Sequence, residues 1–122
     1  MLIKKILIAN RGEIAVRIMK TARRMNIQSV AVKTSYEPGA LYLSFADEIF
    51  DDTEDSSEIP VFLDIERIIS IALKTRCNAL HPGYGFLAEN AYFAQKCAEN
   101  GIIFIGPSPD AIYKMGNKTI AR

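Results

Sequence analysis

A chain of 122 residues, 49% of them apolar and 24% charged, has enough apolar material for one core and too little length for most multi-substrate enzymes. Its net charge of +1 gives no electrostatic drive toward nucleic acid or acidic membranes, and no apolar run reaches the roughly 18 residues of a membrane span. The first residue leads almost at once into a strand-like run, which leaves no room for a signal or transit peptide, so the cytoplasm is the expected compartment.

Residues 4–10 form a short apolar run of the kind found in a strand covered on both faces. After the turn Asn10-Arg11-Gly12, residues 13–25 place Ile14, Ala15, Ile18, Met19, Ala22 and Met25 at helical spacing, with Glu13 in the first turn and Arg23 and Arg24 in the last. Asn26 is a suitable helix terminator, and residues 28–33 read as the next strand, completing a βαβ unit. The chain then offers a short helix at 41–46, a brief strand at 48–50 and an acidic, serine-containing loop at 51–58 that reads as solvated and mobile. Helical periodicity resumes over 63–75, and the strand Ala79-Leu80 delivers the loop His81-Pro82-Gly83-Tyr84-Gly85-Phe86-Leu87 at its carboxyl end. A further amphipathic helix spans 89–100 and stops at Gly101, and residues 102–105 read as a buried strand. Ser108-Pro109-Asp110 is a strong helix start, Gly116 ends that helix, and residues 117–122 look like a new element cut off after it begins.

The histidine loop is the first candidate site. In open parallel sheets ligands gather outside the carboxyl ends of strands, and this loop holds a histidine and two aromatic residues that turn chemistry does not require. His81 has two readings, a residue that pins its own loop or one that touches substrate; Tyr84 has two as well, packing or contact. The first strand-to-helix turn lacks the three glycines of a dinucleotide fingerprint, and Arg11 and Glu13 stand where a pyrophosphate would lie. The exposed stripe Arg17, Lys20 and Arg24 reads as a solvated face or, more sharply, a subunit contact. Cys77 and Cys97 lack the spacing or the company of a zinc site and read as buried thiols. Nothing in the pattern suggests a metal cluster or a nucleophile-base pair.

Taken together, Ile8-Ala9-Asn10-Arg11-Gly12-Glu13-Ile14-Ala15, Ala46-Asp47-Glu48, His81-Pro82-Gly83-Tyr84-Gly85-Phe86-Leu87-Ala88-Glu89-Asn90, Ile103-Phe104-Ile105-Gly106-Pro107 and Met115-Gly116-Asn117-Lys118 resemble the N-terminal domain of biotin carboxylase. The set occurs in the family's order and covers nearly the whole chain. The resemblance implies an α/β fold, a three-layer Rossmann-like parallel sheet with helices on both faces that precedes an ATP-grasp module. Residues 1–116 would be that domain and 117–122 the start of the connection to an ATP-grasp module absent from this chain.

The family's reaction activates bicarbonate with Mg-ATP as carboxyphosphate and then carboxylates N1 of biotin on a carrier protein. By resemblance, Tyr84 and Gly85 line the biotin-facing side of the site, His81 supports that loop, and Lys118 contacts ATP; no catalytic residue and no metal ligand falls in this part. The implied cofactors are ATP, Mg2+ and biotin, and whether the 122-residue chain binds any of them alone is left open. The implied partners are the remaining biotin carboxylase domains, a biotin carboxyl carrier protein and a second copy in a homodimer, with no nucleic acid and no membrane.

Ala88 stands where the family commonly has serine, which would remove a helix-cap hydroxyl worth about 1 kcal/mol. Asn117 replaces the usual aspartate, and residues 33–40 and 51–58 depart from the family's usual runs, which leaves the final acceptor, an acyl-CoA or a keto acid, open. The rival reading is a non-catalytic binding or interaction module on the same scaffold. Other ATP-grasp ligases share the architecture but are not expected to carry the motifs at 10–15 and 81–90.

Overall fold

The computed structural model describes residues 2–54, 57–106 and 112. The helix start at Ser108, its stop at Gly116 and the segment carrying Asn117 and Lys118 lie outside the described residues.

Among the described residues five strands form one parallel sheet: β1 (Lys5–Ile8), β2 (Gln28–Lys33), β3 (Glu48–Asp51), β4 (Ala79–His81) and β5 (Ile103–Phe104), in the order β3-β2-β1-β4-β5. Strands β1, β2 and β4 carry the near-continuous apolar runs expected where helices cover both faces. On one face Ile6, Ile8, Ala31 and Ala79 meet Ala15, Met19 and Ala22 of helix α1 (Gly12–Arg24), together with Tyr42 and Leu43 of the 3-10 turn Leu41–Phe45. On the other, Leu7, Val30, Val32 and Leu80 meet helices α2 (Ile65–Lys74) and α3 (Ala91–Glu99) through Ile68, Ile69, Ala72, Phe93 and Cys97. The expected layering is therefore present.

Helices α1, α2 and α3 end in the same manner. Asn26, Arg76 and Gly101 take left-handed φ values of 59°, 61° and 71°, and the residue after each returns its N–H to the last turn: Ile27 to Ala22, Cys77 to Ala72 and Ile102 to Cys97, at 2.8, 2.9 and 2.9 Å. Each such stop turns the chain directly into the next strand.

Four local expectations are corrected. The helix read over 63–75 starts later: Leu63 closes the 3-10 turn Val61–Leu63, and α2 begins only after Asp64, whose carboxylate accepts from the Arg67 N–H at 3.2 Å as N-cap. The strand read over 102–105 is shorter: Ile102 is buried, but β5 itself is Ile103–Phe104 and half-buried, because among the described residues it has a neighbour on one side alone. Met25 lies off the apolar face, 64% exposed at the helix end. The acidic loop is not wholly solvated: Asp52 is buried and paired with the Arg67 guanidinium through Nε and Nη2, which ties the end of β3 to α2.

Cys77 and Cys97 are buried, and desolvation pushes both thiols up, that of Cys97 to about 12. The Tyr42 hydroxyl donates to the Val32 carbonyl at 2.7 Å and pins its turn to the sheet.

Candidate functional site

The sheet order reverses between β1 and β4. The chain leaves β1 through α1 toward β2 on one side, while β4 pairs on the other, so a crevice opens at the carboxyl ends of these two strands. Two segments line it: the β1–α1 turn with Asn10 and Arg11, continued by Gly12, Glu13 and Ile14 at the start of α1, and the loop residues Tyr84, Gly85 and Phe86. The space between them measures about 360 Å³.

His81 is the last residue of β4, and its carbonyl accepts the Ala9 N–H at 2.9 Å. Its Nδ1 accepts the Gly83 N–H at 3.0 Å, which requires an unprotonated Nδ1 and hence the Nε2–H tautomer in the neutral ring. Burial lowers its pKa below the ordinary value and favours that neutral form. His81 therefore faces its own loop with one nitrogen.

Asn10 joins the two segments. Only 3% exposed, it donates from Nδ2 to the carbonyls of Pro82 and Tyr84, both at 2.7 Å, while its Oδ1 accepts the Arg11 N–H at 2.8 Å. Gly83, at φ +68°, lies against this carboxamide so closely that a Cβ would fall 2.6 Å from Nδ2. Gly85, at φ +72°, has no described atom within 4 Å of that position and opens onto the crevice. Tyr84 is 70% exposed, and Phe86 turns its ring onto Phe62, centroids 5.6 Å apart. The loop closes with Ala88 N–H on the Gly85 carbonyl at 2.9 Å.

Helix α3 then begins on Asn90, whose side chain accepts from the Phe93 N–H at 2.9 Å. A hydroxyl at position 88 is therefore not what caps this helix, and Ala88 costs it no cap.

Arg11 does not point freely into the crevice. Its guanidinium makes a two-pronged contact with Glu37, Nε to Oε1 at 2.8 Å and Nη2 to Oε2 at 2.6 Å, which raises the Arg11 pKa and lowers that of Glu37. On α1, Arg17, Lys20 and Arg24 are all exposed; Lys20 stands over the Phe45 ring at 5.3 Å. Thus Tyr84 and Gly85 share the loop that follows β4, His81 stands at the end of the strand that leads into it, and Lys118 lies outside the described residues. Sequence reasoning missed Asn10, reading it as turn material; the signal was a carboxamide set directly after the run Ile6-Leu7-Ile8-Ala9.

The sequence profile of the biotin carboxylase N-terminal domain matches residues 2–112. The chain belongs to the biotin carboxylase N-terminal domain family. It is 50% identical over 121 residues to biotin carboxylase 1 of Bacillus subtilis, a match covering 99% of this chain and 27% of that protein. It is 46% identical over 120 residues to pyruvate carboxylase of the same organism, covering 98% of this chain and 10% of the relative. The biotin carboxylase domain dimer of Hydrogenobacter thermophilus 2-oxoglutarate carboxylase, solved with MgADP, ADP and bicarbonate, superposes with a TM-score of 0.84 at 43% identity, over 93% of this chain and 24% of that one. The chain thus spans about a quarter of the length of the biotin carboxylases it matches. Among the described residues no helix is long and apolar enough to cross a membrane.

Proposed function

We propose that this chain is the N-terminal part of a biotin carboxylase, a cytoplasmic ligase that uses Mg-ATP and bicarbonate to carboxylate biotin borne on a carrier protein. The observation that carries the reading is the crevice at the β1–β4 switch point, walled by the very segments, residues 8–15 and 81–90, that mark the family. In this reading residues 1–116 are the domain and 117–122 lead into the ATP-grasp module.

The open space over Gly85 leaves room for the edge of a small ring such as the planar ureido ring of biotin. Gly85 lets the backbone approach that ring, the exposed Tyr84 offers a ring face and a hydroxyl, and the neutral His81 holds the loop through Gly83. Lys118 is assigned to ATP, where an ammonium offsets phosphate charge. When bound, Mg2+ would supply charge neutralisation of the transferring phosphoryl group; its ligands are assigned to the rest of the ligase. Catalysis proper is assigned there too, so the 122-residue chain is inactive alone. The basic stripe on α1 is proposed to lie at a contact with a second copy.

The test is a chimera. The matching N-terminal quarter of the Bacillus subtilis biotin carboxylase is replaced by residues 1–122, and biotin-dependent, bicarbonate-dependent ATP hydrolysis is measured beside the isolated chain. Activity in the chimera and none in the isolated chain is expected. A folded but inactive chimera would favour the non-catalytic module, and turnover by the isolated chain would overturn the assignment of catalysis to the rest of the ligase.

A further inference from the structure

The geometry points to Asn10 as the positioning residue of the 82–86 loop: its carboxamide sets where Tyr84 and Gly85 stand in the crevice. This rests on the reading of that loop as biotin-facing.

The carboxamide spends both of its N–H groups on this task, one on the Pro82 carbonyl and one on the Tyr84 carbonyl, each at 2.7 Å. These partners flank Gly83 and lie more than seventy residues away in the chain, so the contact joins two segments that share no local turn. Its oxygen accepts the Arg11 N–H, which fixes which way round the amide sits. The last backbone bond of the β1–β4 seam, Ala9 N–H to His81 carbonyl, lies one residue before it. Asn10 continues that ladder with a side chain after the backbone of β1 has turned away into α1. With 3% exposure, water does not compete for these bonds. Gly83 completes the fit, since a methyl group there would strike Nδ2 at 2.6 Å.

Aspartate has nearly the same shape as asparagine, yet at position 10 it would set a carboxylate oxygen against two carbonyl oxygens. Loop placement, and not packing volume, is what Asn10→Asp removes. A misplacement on the order of 1 Å is enough to cost a reaction roughly a hundredfold.

The experiment uses the full-length ligase carrying this chain, with free biotin as substrate and thermal unfolding recorded for every variant. Asn10→Asp is expected to lower kcat/KM for biotin by about tenfold to a hundredfold while KM for ATP stays at the wild-type value. Gly83→Ala is expected to give the same biotin-selective loss. Combined as Asn10→Ala/Gly83→Ala, the losses should be less than additive, because the first change deletes the atom that the new methyl strikes.

Gly85→Val separates the two layers of the argument. If it impairs biotin kinetics and Asn10→Asp does not, the positioning role is overturned. If Gly85→Val leaves biotin kinetics untouched, the biotin-facing reading fails and the inference with it. An Asn10→Asp protein that loses ATP and biotin parameters alike, or additive losses in the double variant, assigns Asn10 to general fold support and overturns the proposal. Should Asn10→Asp fail to fold, Gly83→Ala decides: a biotin-selective loss supports the positioning role, and an even loss refutes it.

Discussion

His81 shows how one side chain ties the loop to solution conditions. Its Nδ1 must be bare to accept the Gly83 N–H, and burial holds its pKa below the ordinary value of 6.5. Above that value the ring is neutral in both folded and unfolded chains, and its contribution to stability is fully present. As pH falls below 6.5, the unfolded chain takes up a proton that the folded one resists, so stability is lost down through the lowered folded pKa. Urea midpoints measured between about pH 7.5 and about pH 5 should therefore fall more steeply for the wild type than for His81→Gln. A variant with the same slope would show that the imidazole is not the titrating group.

Much at this scale was hidden in the sequence. That loop's histidine and aromatic residues suggested a site, but nothing in the string distinguishes Gly83, crowded by a carboxamide, from Gly85, open to the crevice. Asn10 looked like a turn residue because its partners are carbonyls, which carry no side-chain signature.

At the scale of elements, the helices and strands were legible where periodicity was long and ends were chemically marked. Asn26 and Gly101 announced their helix stops; Arg76 does the same work with a residue that rarely takes φ +61° and gave no warning. The start of α2 was misplaced because Leu63 continues its apolar pattern, while the decisive signal was the N-cap carboxylate of Asp64. Asp64→Ala should then lower the unfolding free energy by about 1 kcal/mol, read from chemical denaturation of the full-length ligase, whereas Asp64→Ser should recover most of it. If Ala and Ser behave alike, the helix start does not depend on this cap. The Asp52–Arg67 pair escaped notice for a different reason: its two members lie on separate elements, and only the fold brings them together.

For the whole molecule, the chain is proposed to serve two substrates from two places: the loop after β4 for biotin and Lys118 for ATP. Kinetics of the full-length ligase should separate them. Lys118→Ala should raise KM for ATP with little change for biotin, and Gly85→Val should do the reverse. Equal effects of each variant on both substrates would mean that these residues hold the fold together and do not divide the work. The architecture itself was readable because alternating apolar runs and amphipathic helices leave few options besides a parallel sheet covered on both faces. What periodicity did not reveal was strand position, which is why β5 was taken for a buried strand when it is an edge.

Strand β1 precedes the other four described strands yet lies at the middle of the sheet, and that order sets a hazard during synthesis. Its partner β2 follows closely, but β4 arrives only at Ala79. At roughly 5–20 residues per second, the ribosome needs on the order of seconds to deliver the stretch between Lys33 and Ala79. Throughout that interval the β4-facing edge of Ile6-Leu7-Ile8 carries open backbone groups, and Asn10 has no carbonyls to hold. The nascent chain therefore carries an unpaired β1 edge, open to mispairing, until the strand that leads into its histidine loop has been made.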